Sequence, residues 1–164
     1  MTKTVNVMFV CLGNICRSPA AEGVLKNLAQ NEKDLIFQVK SCGVGDWHIG
    51  KLPDQRMREA SQARGIELTS KAQLFQKKFF EQYDYILVAD KEVLQFLYPY
   101  ADKPEFKAKL MLMTEFSSVY KGKEIPDPYY QVGGAFNFVL DMLEDSCIGL
   151  IKHVKEKINS ENSV

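Results

Sequence analysis

The sequence predicts an open α/β sandwich built on a parallel sheet, and three observations support this fold class. Short apolar runs alternate along the chain with stretches of helical period. Residues 5–10 are as apolar and β-branched as a strand covered on both faces requires. The last third of the chain carries a long amphipathic pattern suited to packing on a sheet. Ligands bind beyond the carboxyl ends of such strands, so a site is expected directly after Val10.

Each element follows from a local pattern. Four strands are predicted, over residues 5–10, 36–39, 85–89 and 110–112. The first helix is predicted from apolar residues at helical spacing: Ala21, Val24, Leu25 and Leu28. Pro53 is expected to start a second helix that Gly65 ends, and a third helix over residues 93–98 closes at Pro99. A final helix is predicted from Ala135 to Ile158, with residues 159–164 fraying.

Composition narrows the class of protein. The 164 residues are 46% hydrophobic and 26% charged, which indicates one globular domain, residues 1–164. Lys plus Arg equal Asp plus Glu at 21 each, and this balance argues against a nucleic-acid or membrane-surface partner. The apolar run 7–10 is too short for a signal peptide or a membrane span, so a cytoplasmic location is expected.

The cysteines and histidines set expectations about disulfides and metals. In a reducing compartment, four cysteines are expected to be free thiols, catalytic groups or ligands rather than structural disulfides. They show no paired C-x-x-C spacing, and two histidines do not readily complete a zinc site. No metal or cofactor is therefore expected.

The loop after the first predicted strand has the composition of a phosphate cradle. Backbone N–H groups curling round a helix N-terminus bind anions, and the helix dipole adds positive potential. Gly13 and Asn14 tolerate the left-handed backbone of a tight loop, and Arg17 can grip two phosphate oxygens with its planar fork. Cys11 would lie at the bottom, where the positive field favours a nucleophilic thiolate.

The neighbouring residues fit the same interpretation. Ser18 can donate a hydrogen bond to the thiolate, and Pro19 suits the first helical turn. The G-x-x-x-x-G-K-[ST] pattern of nucleotide-binding loops is absent. An ordinary strand-to-helix turn could hold Cys and Arg by chance, but Gly, Asn, Ser and Pro together favour phosphate binding. The residues expected to contact the ligand with Ser18 are Leu12, Gly13, Asn14, Ile15 and Cys16.

Residues 11–19 resemble the signature loop of the low-molecular-weight protein tyrosine phosphatases, and the similarity covers nearly the whole chain. Residues 41–50, with Asp54 and Arg56, are similar to the second block of the family, and residues 127–130 to its third motif. The resemblance implies an open four-stranded parallel sheet with helices on both faces. The phosphate-binding loop would lie between the first strand and the first helix.

The resemblance also implies an activity and its partners. A single phosphatase domain would hydrolyse phosphotyrosine without a metal, through a cysteinyl-phosphate intermediate. Its substrates would be tyrosine-phosphorylated proteins or small aryl phosphates, with inorganic phosphate or vanadate as inhibitors. The chain would be a monomer or a weak dimer.

The remaining site residues take their roles from this resemblance. Asp127 would donate a proton to the departing phenolate and then activate water, although an Asp before Pro is ordinarily a turn residue. Trp47, the only tryptophan, and Tyr129 would hold the aromatic ring, with Tyr130 at the rim. Ser41 would help Asn14 to shape the loop. His48 and His153 are interpreted as ordinary polar residues.

Cys16 is the expected redox partner of the nucleophile. Peroxide oxidises an accessible thiolate to a sulfenic acid, and a second thiol nearby can close a protective disulfide. Cys16 lies five residues after Cys11, within one tight loop. The alternative is that Cys16 only packs beneath that loop.

Two departures from the family pattern concern the surroundings of the loop. Where many relatives read S-A-G-T, this chain reads Ser-Cys-Gly-Val at residues 41–44, which removes a hydroxyl. Where many carry Arg after the second helix, this chain has Gln73. Activity is still expected, because the nucleophile, the phosphate grip and the acid are intact.

Three other functions are compatible with parts of the sequence. Thiol-dependent arsenate reductases share this fold and loop but relay oxidation through central cysteines, and no cysteine lies between Cys42 and Cys147. A phosphotyrosine-binding module would be indicated by loss of Cys11 or Asp127, and both are present. Phosphoarginine hydrolysis occurs in relatives with a small hydroxyl residue at the position of Ile15, whose bulk favours a flat phenyl ring.

Overall fold

The sheet is parallel and four-stranded, as the sequence predicts. The computed structural model describes residues 2–131 and 133–162. The strands are β1 (Lys3–Cys11), β2 (Leu35–Gly43), β3 (Tyr85–Val88) and β4 (Leu110–Leu112), in the order β2-β1-β3-β4. The helices among these residues are α1 (Arg17–Ala29), α2 (Gln55–Gln62), α3 (Phe79–Gln82), α4 (Lys91–Leu97), α5 (Pro104–Lys107) and α6 (Ala135–Asn162). A 3₁₀ turn, Tyr98–Tyr100, follows α4.

Alternation along β1 divides the core into two layers. Successive side chains of a strand point to opposite faces of the sheet. Val7 and Phe9 pack in the larger layer, which includes the apolar stripes of α1 and α6. Met8 and Val10 pack in the smaller layer, with residues of α3, α4 and α5. Helices therefore cover both faces, which confirms the predicted fold class.

Some element boundaries differ from the predictions. Helix α2 begins at Gln55 rather than at Pro53, because the side chain of Asp54 accepts a hydrogen bond from the backbone N–H of Arg56 and caps the helix. The helix ends at Gln62, before Gly65. Helices α3 and α5 were not predicted, since four residues are too few to display a helical period.

The expectation of a frayed C-terminal tail is wrong for residues 159–162. Helix α6 continues to Asn162; Ile158 packs against the core, and Glu161 lies 3.9 Å from Lys3 in an exposed ion pair. Residues 163–164 of the predicted tail lie outside the described residues. Despite its length, α6 is too polar to cross a membrane, and no other described helix is long and apolar enough to do so.

The order of the strands positions the site. From β1 the chain crosses to β2 on one side and then returns to β3 on the other, so β1 and β3 border the point where the topology reverses. Cys11 ends β1, and Asp90 lies two residues after the end of β3. Both therefore lie at the carboxyl edge of the sheet, where α/β proteins bind their ligands.

Candidate active site

A cavity of about 350 Å³ opens at this edge of the sheet. It contains most of the residues that the sequence singles out. The lining residues are Cys11, Leu12, Gly13, Ile15, Cys16, Arg17, Trp47, His48, Asp127, Tyr129 and Tyr130. Two loop residues predicted to contact the ligand, Asn14 and Ser18, have buried side chains that do not line the cavity, and Ser41, predicted to support the loop, is also buried.

The loop is held in shape by the end of β2. Asn14 adopts a left-handed backbone with φ 58°, as the sequence predicts for a tight turn, whereas Gly13 does not have a positive φ. The backbone N–H of Val44 donates to the carbonyl of Cys11 at 3.1 Å. A Cβ at Gly43 would come within 2.9 Å of the Leu12 carbonyl oxygen, so only glycine lets the strand lie this close.

A buried hydrogen-bond network fixes the directions in which Ser41 and the Asn14 amide donate behind the cavity. The carboxylate of Glu22 can only accept, and it accepts from the Ser41 hydroxyl at 2.7 Å. Ser41 therefore accepts from Asn14 Nδ2 at 3.0 Å, and the same amide donates to Ser18 Oγ at 2.7 Å. The other end of the amide, Asn14 Oδ1, accepts from the backbone N–H of Gln73 at 3.0 Å.

This network leaves the Ser18 hydroxyl hydrogen with two possible acceptors, the sulfur of Cys11 and the backbone carbonyl of Cys42. Ser18 Oγ lies 3.0 Å from Cys11 Sγ and 3.3 Å from the carbonyl oxygen of Cys42. Because Asn14 already donates to Ser18, the hydroxyl can point its own hydrogen at the sulfur. A thiolate at Cys11 could then accept a hydrogen bond from Ser18 while Ser18 still accepts its hydrogen bond from Asn14.

Arg17 is a buried cation whose orientation is fixed from two sides. The residue is 3% exposed, and its Nη1 donates to Asp90 Oδ2 at 2.7 Å and to the Ile125 carbonyl at 3.0 Å. Its Nη2 lies 3.6 Å from Asp127 Oδ2. Burial opposes the charge, but the thiol and the two carboxylates beside it outweigh burial and raise the pKa of the Arg17 guanidinium. The fork is thus charged and held in place.

Asp90 is a site residue that the sequence analysis missed. Its other oxygen, Oδ1, accepts from the backbone N–H of Val93 and caps α4. The available signal was its position, directly after a predicted strand and before a helical face, where the carboxyl ends of the strands form the site. An acidic residue at a helix start is common as a cap, so sequence alone did not separate the two roles.

The walls of the cavity are aromatic. Trp47 is 62% exposed and lines the cavity rather than the core, and the half-buried Tyr129 also lines it. Tyr130 is 90% exposed and meets the Tyr129 ring edge to face at 4.8 Å. His48 also lines the cavity, with its ring 6.2 Å from that of Tyr129, and its position next to Trp47 was the signal that was overlooked.

Asp127 lines the same cavity and lies beside Arg17. Its Oδ1 accepts from the backbone N–H of Tyr129 at 3.1 Å, which fixes the carboxyl at the start of a turn. Its Oδ2 is the atom that faces Arg17. The side chain is partly exposed to the cavity, so a substrate oxygen can approach it.

All four cysteines are free and buried. Cys16 lines the cavity, and burial, followed by the charge of Asp54, raises the pKa of its thiol well above the usual range. Burial similarly raises the pKa values of Cys42 and Cys147, which do not line the cavity. Among the described residues, no group of His, Cys, Asp and Glu is arranged to hold a metal ion.

Comparison with known proteins defines the class of protein. Residues 6–160 match the family described as low molecular weight phosphotyrosine protein phosphatase. A phosphatase of that name from Schizosaccharomyces pombe is 39% identical over 141 residues, which cover 84% of this chain and 88% of that protein. The crystal structure of a protein tyrosine phosphatase from Entamoeba histolytica has a TM-score of 0.86 at 37% identity, covering 93% of this chain and 98% of that one.

A further solved structure, a Drosophila arginine phosphatase, has a TM-score of 0.82 at 30% identity and covers 91% of this chain and 97% of its own. The fold and these relatives together define a phosphatase, a hydrolase of phosphoric monoesters. The chain belongs to the low molecular weight phosphotyrosine protein phosphatase family, as its sequence predicts.

Proposed function

We propose that this protein hydrolyses phosphotyrosine through a cysteinyl-phosphate intermediate. Cys11 is the nucleophile, Arg17 the phosphate clamp and Asp127 the general acid and base. The observation that carries the proposal is the convergence of these three side chains on one cavity at the carboxyl edge of the sheet. The loop residues Leu12, Gly13, Ile15 and Cys16 line the same cavity and would surround the phosphate.

In the first step the thiolate of Cys11 attacks phosphorus and the bond to the aryl oxygen breaks. Asp127 transfers its proton to that oxygen, so tyrosine leaves as the neutral phenol. The Arg17 fork spans two phosphate oxygens through the transition state, where the transferring group carries charge on its outer oxygens.

In the second step a water molecule attacks the cysteinyl-phosphate. The Asp127 carboxylate takes a proton from the water, the S–P bond breaks and inorganic phosphate forms. The Ser18 hydroxyl, 3.0 Å from Sγ, stabilises the departing thiolate. Asp127 ends protonated and the cycle can begin again.

The shape of the cavity supports an aryl substrate. Trp47 and Tyr129 offer flat faces to a phenyl ring, and Ile15 adds an apolar contact near the phosphate loop. Tyrosine-phosphorylated proteins and small aryl phosphates are the substrates we propose, with phosphate or vanadate as competing ligands. We further propose a single catalytic domain that acts in the cytoplasm as a monomer or weak dimer, with no metal or cofactor.

The experiment that tests this function is hydrolysis of matched phosphotyrosine, phosphoserine and phosphoarginine peptides in EDTA. Phosphotyrosine should be hydrolysed at least about tenfold faster than the other two, because only its ring fits between the two aromatic walls. A preference for phosphoarginine, the activity named for the Drosophila relative, would replace the proposed substrate class. Loss of all activity in EDTA would contradict the metal-free mechanism.

Cys16 is the proposed redox partner of Cys11. Peroxide would oxidise the Cys11 thiolate to a sulfenic acid, and attack by Cys16 would expel water and form a disulfide. The raised pKa of Cys16 keeps it as a thiol in the resting enzyme, which directs peroxide to Cys11. The disulfide would block catalysis reversibly and prevent further oxidation.

A further inference from the structure

We propose that Arg56 is a positioning residue for Asp127, and that it holds the segment bearing the acid against the phosphate-binding loop. The inference rests on the proposed role of Asp127 as general acid. Arg56 does not line the cavity, so it would act through the residues that it binds.

The first half of this connection joins Arg56 to the phosphate-binding loop through Asp54. The guanidinium donates to Asp54 from Nε at 3.1 Å and from Nη2 at 2.9 Å, one bond to each carboxylate oxygen. These hydrogen bonds lower the pKa of Asp54, so it is ionised at neutral pH. The backbone N–H of Asp54 in turn donates to the carbonyl of Ile15 at 2.7 Å.

The second half joins Arg56 to the segment that carries the acid. Its Nη2 also donates to the carbonyl of Tyr129 at 2.9 Å, and its guanidinium carbon lies 5.5 Å from the centre of the Tyr129 ring. The backbone N–H of Tyr129 is the group that donates to Asp127 Oδ1. One residue, Tyr129, therefore receives a hydrogen bond from Arg56 and gives one to the proposed acid.

The segment around Asp127 depends on such connections because it has no regular secondary structure. Residues 123–128 belong to neither a helix nor a strand. Before Asp127, the backbone N–H of Ile125 is bonded to the carbonyl of Ala89 at the end of β3. Arg56 supplies a bond on the other side of Asp127, at Tyr129. The two bonds bracket the acid.

Arg56 is well suited to this role in its chemistry, although the side chain is 47% exposed. An isolated ion pair on the surface contributes little to the free energy of folding. A planar fork can nevertheless bond to a carboxylate and a carbonyl at once, and the guanidinium also lies 4.8 Å from the ring centre of Phe136 at the start of α6. Arg56 would contribute by positioning Asp127, because a general acid must lie within hydrogen-bond reach of the leaving oxygen.

The test compares two substrates whose leaving groups need protonation to different degrees. A phosphotyrosine peptide has a poor leaving group, whereas para-nitrophenyl phosphate releases a phenolate that needs little help. For Arg56→Ala, kcat/KM for the peptide should fall by about 10-fold to 100-fold more than kcat/KM for the nitrophenyl ester. An equal loss for both substrates would overturn the proposal.

Two further variants keep the test specific. Arg58→Ala removes another arginine of α2, which binds the Pro53 carbonyl at 2.9 Å, and should leave the ratio of the two kcat/KM values unchanged. Arg56→Lys keeps a cation but cannot bond to both groups through a fork, so the ratio should shift in the same direction by less. A wild-type ratio in Arg56→Lys would show that charge alone suffices and would overturn the positioning role.

A double variant separates this inference from the proposed function. Asp127→Ala should shift the ratio by itself, and adding Arg56→Ala should shift it no further, because both changes remove the same proton transfer. A further shift in the double variant would show that Arg56 acts elsewhere. An unchanged ratio in Asp127→Ala alone would instead overturn the acid assignment and, with it, the role of Arg56.

Discussion

Arg17 and Asp90 form a 2.7 Å ion pair that joins the start of α1 to the start of α4 beside the cavity. Two residues 73 positions apart thereby fix the phosphate clamp before any substrate arrives. The pair has a consequence for stability as well as for catalysis. A cation as buried as Arg17 needs a nearby anion whether or not phosphate is bound.

Asp90→Asn should therefore lower the free energy of unfolding in phosphate-free buffer by about 1–3 kcal/mol, because Arg17 loses the nearer of its two carboxylate partners. Asparagine can still cap α4, so that role is preserved. Saturating phosphate should raise the Tm of Asp90→Asn more than that of the wild type, since the ligand supplies the missing negative charge. Calorimetric scans with and without phosphate measure both effects.

The matched control for this prediction is Asp102→Asn. Asp102 pairs with Lys77 at 2.7 Å, but both side chains are at least half exposed, and such pairs contribute little. The Tm of Asp102→Asn should differ little from that of the wild type, and phosphate should raise both Tm values equally. If phosphate stabilised Asp90→Asn no more than the wild type, Asp90 would not be the resting partner of the clamp.

Glu22→Gln should disturb the nucleophile from a distance. A glutamine amide can donate as well as accept, so Ser41 no longer has to donate to residue 22. The direction of the hydrogen bond between Ser41 and Asn14 is then no longer fixed. We expect kcat to fall by roughly 3-fold to 10-fold, as one buried hydrogen bond would cost. Steady-state kinetics should show this loss equally for good and poor leaving groups.

Lys26→Gln serves as the control for that variant. Lys26 binds the outer oxygen of Glu22 at 2.5 Å and is half exposed, so its removal leaves the carboxylate in place as an acceptor. Its kcat should stay within about twofold of the wild type. If Glu22→Gln had the kcat of the wild type, the direction of the network would be irrelevant to catalysis.

Trp47→Ala and Tyr129→Ala should weaken aryl phosphates selectively. Each removes a flat face from the cavity wall, and a stacked pair contributes about 0.5–1.5 kcal/mol, so KM for aryl phosphates should rise by about 2-fold to 13-fold. Alkyl phosphates should be affected less. Phosphate or vanadate should also change the fluorescence of Trp47, and an unchanged signal at saturation would place the tryptophan away from the bound ligand.

A peroxide pulse should inactivate the enzyme, and dithiothreitol should restore it. Cys16→Ser should be active before the pulse but recover poorly, because the sulfenic acid at Cys11 has no thiol to protect it. Cys147→Ser provides a control, since Cys147 is buried and does not line the cavity. Recovery of Cys16→Ser to the level of the wild type would remove Cys16 from a protective role.

The predictable part of the structure is the part encoded by local pattern. The strand over Leu110–Leu112 and the long final helix follow from apolar runs and helical spacing, and the loop from Cys11 to Arg17 follows from the residue types that a phosphate cradle needs. The position of Trp47 at the cavity wall follows instead from the resemblance to the phosphatase family, and Trp47 does line the cavity.

The unpredicted part depends on contacts between distant segments. Asp90 and Glu22 are residue types that are common on protein surfaces, and only the folded chain shows that they support the site. Local competition between residues also mattered: at the start of α2, the side chain of Asp54 caps the helix, so Pro53 lies outside it. Sequence alone does not rank such alternatives.

In the proposed mechanism, the phosphoryl group is transferred to Cys11 before it reaches water. Asp127→Ala should form the cysteinyl-phosphate from para-nitrophenyl phosphate, whose leaving group needs little acid, but should hydrolyse it slowly for want of a base. Rapid quenching followed by mass spectrometry should then locate phosphate on Cys11, and the Cys11→Ser variant should be inactive. Phosphate on another residue, or turnover that persists in Cys11→Ser, would contradict the account.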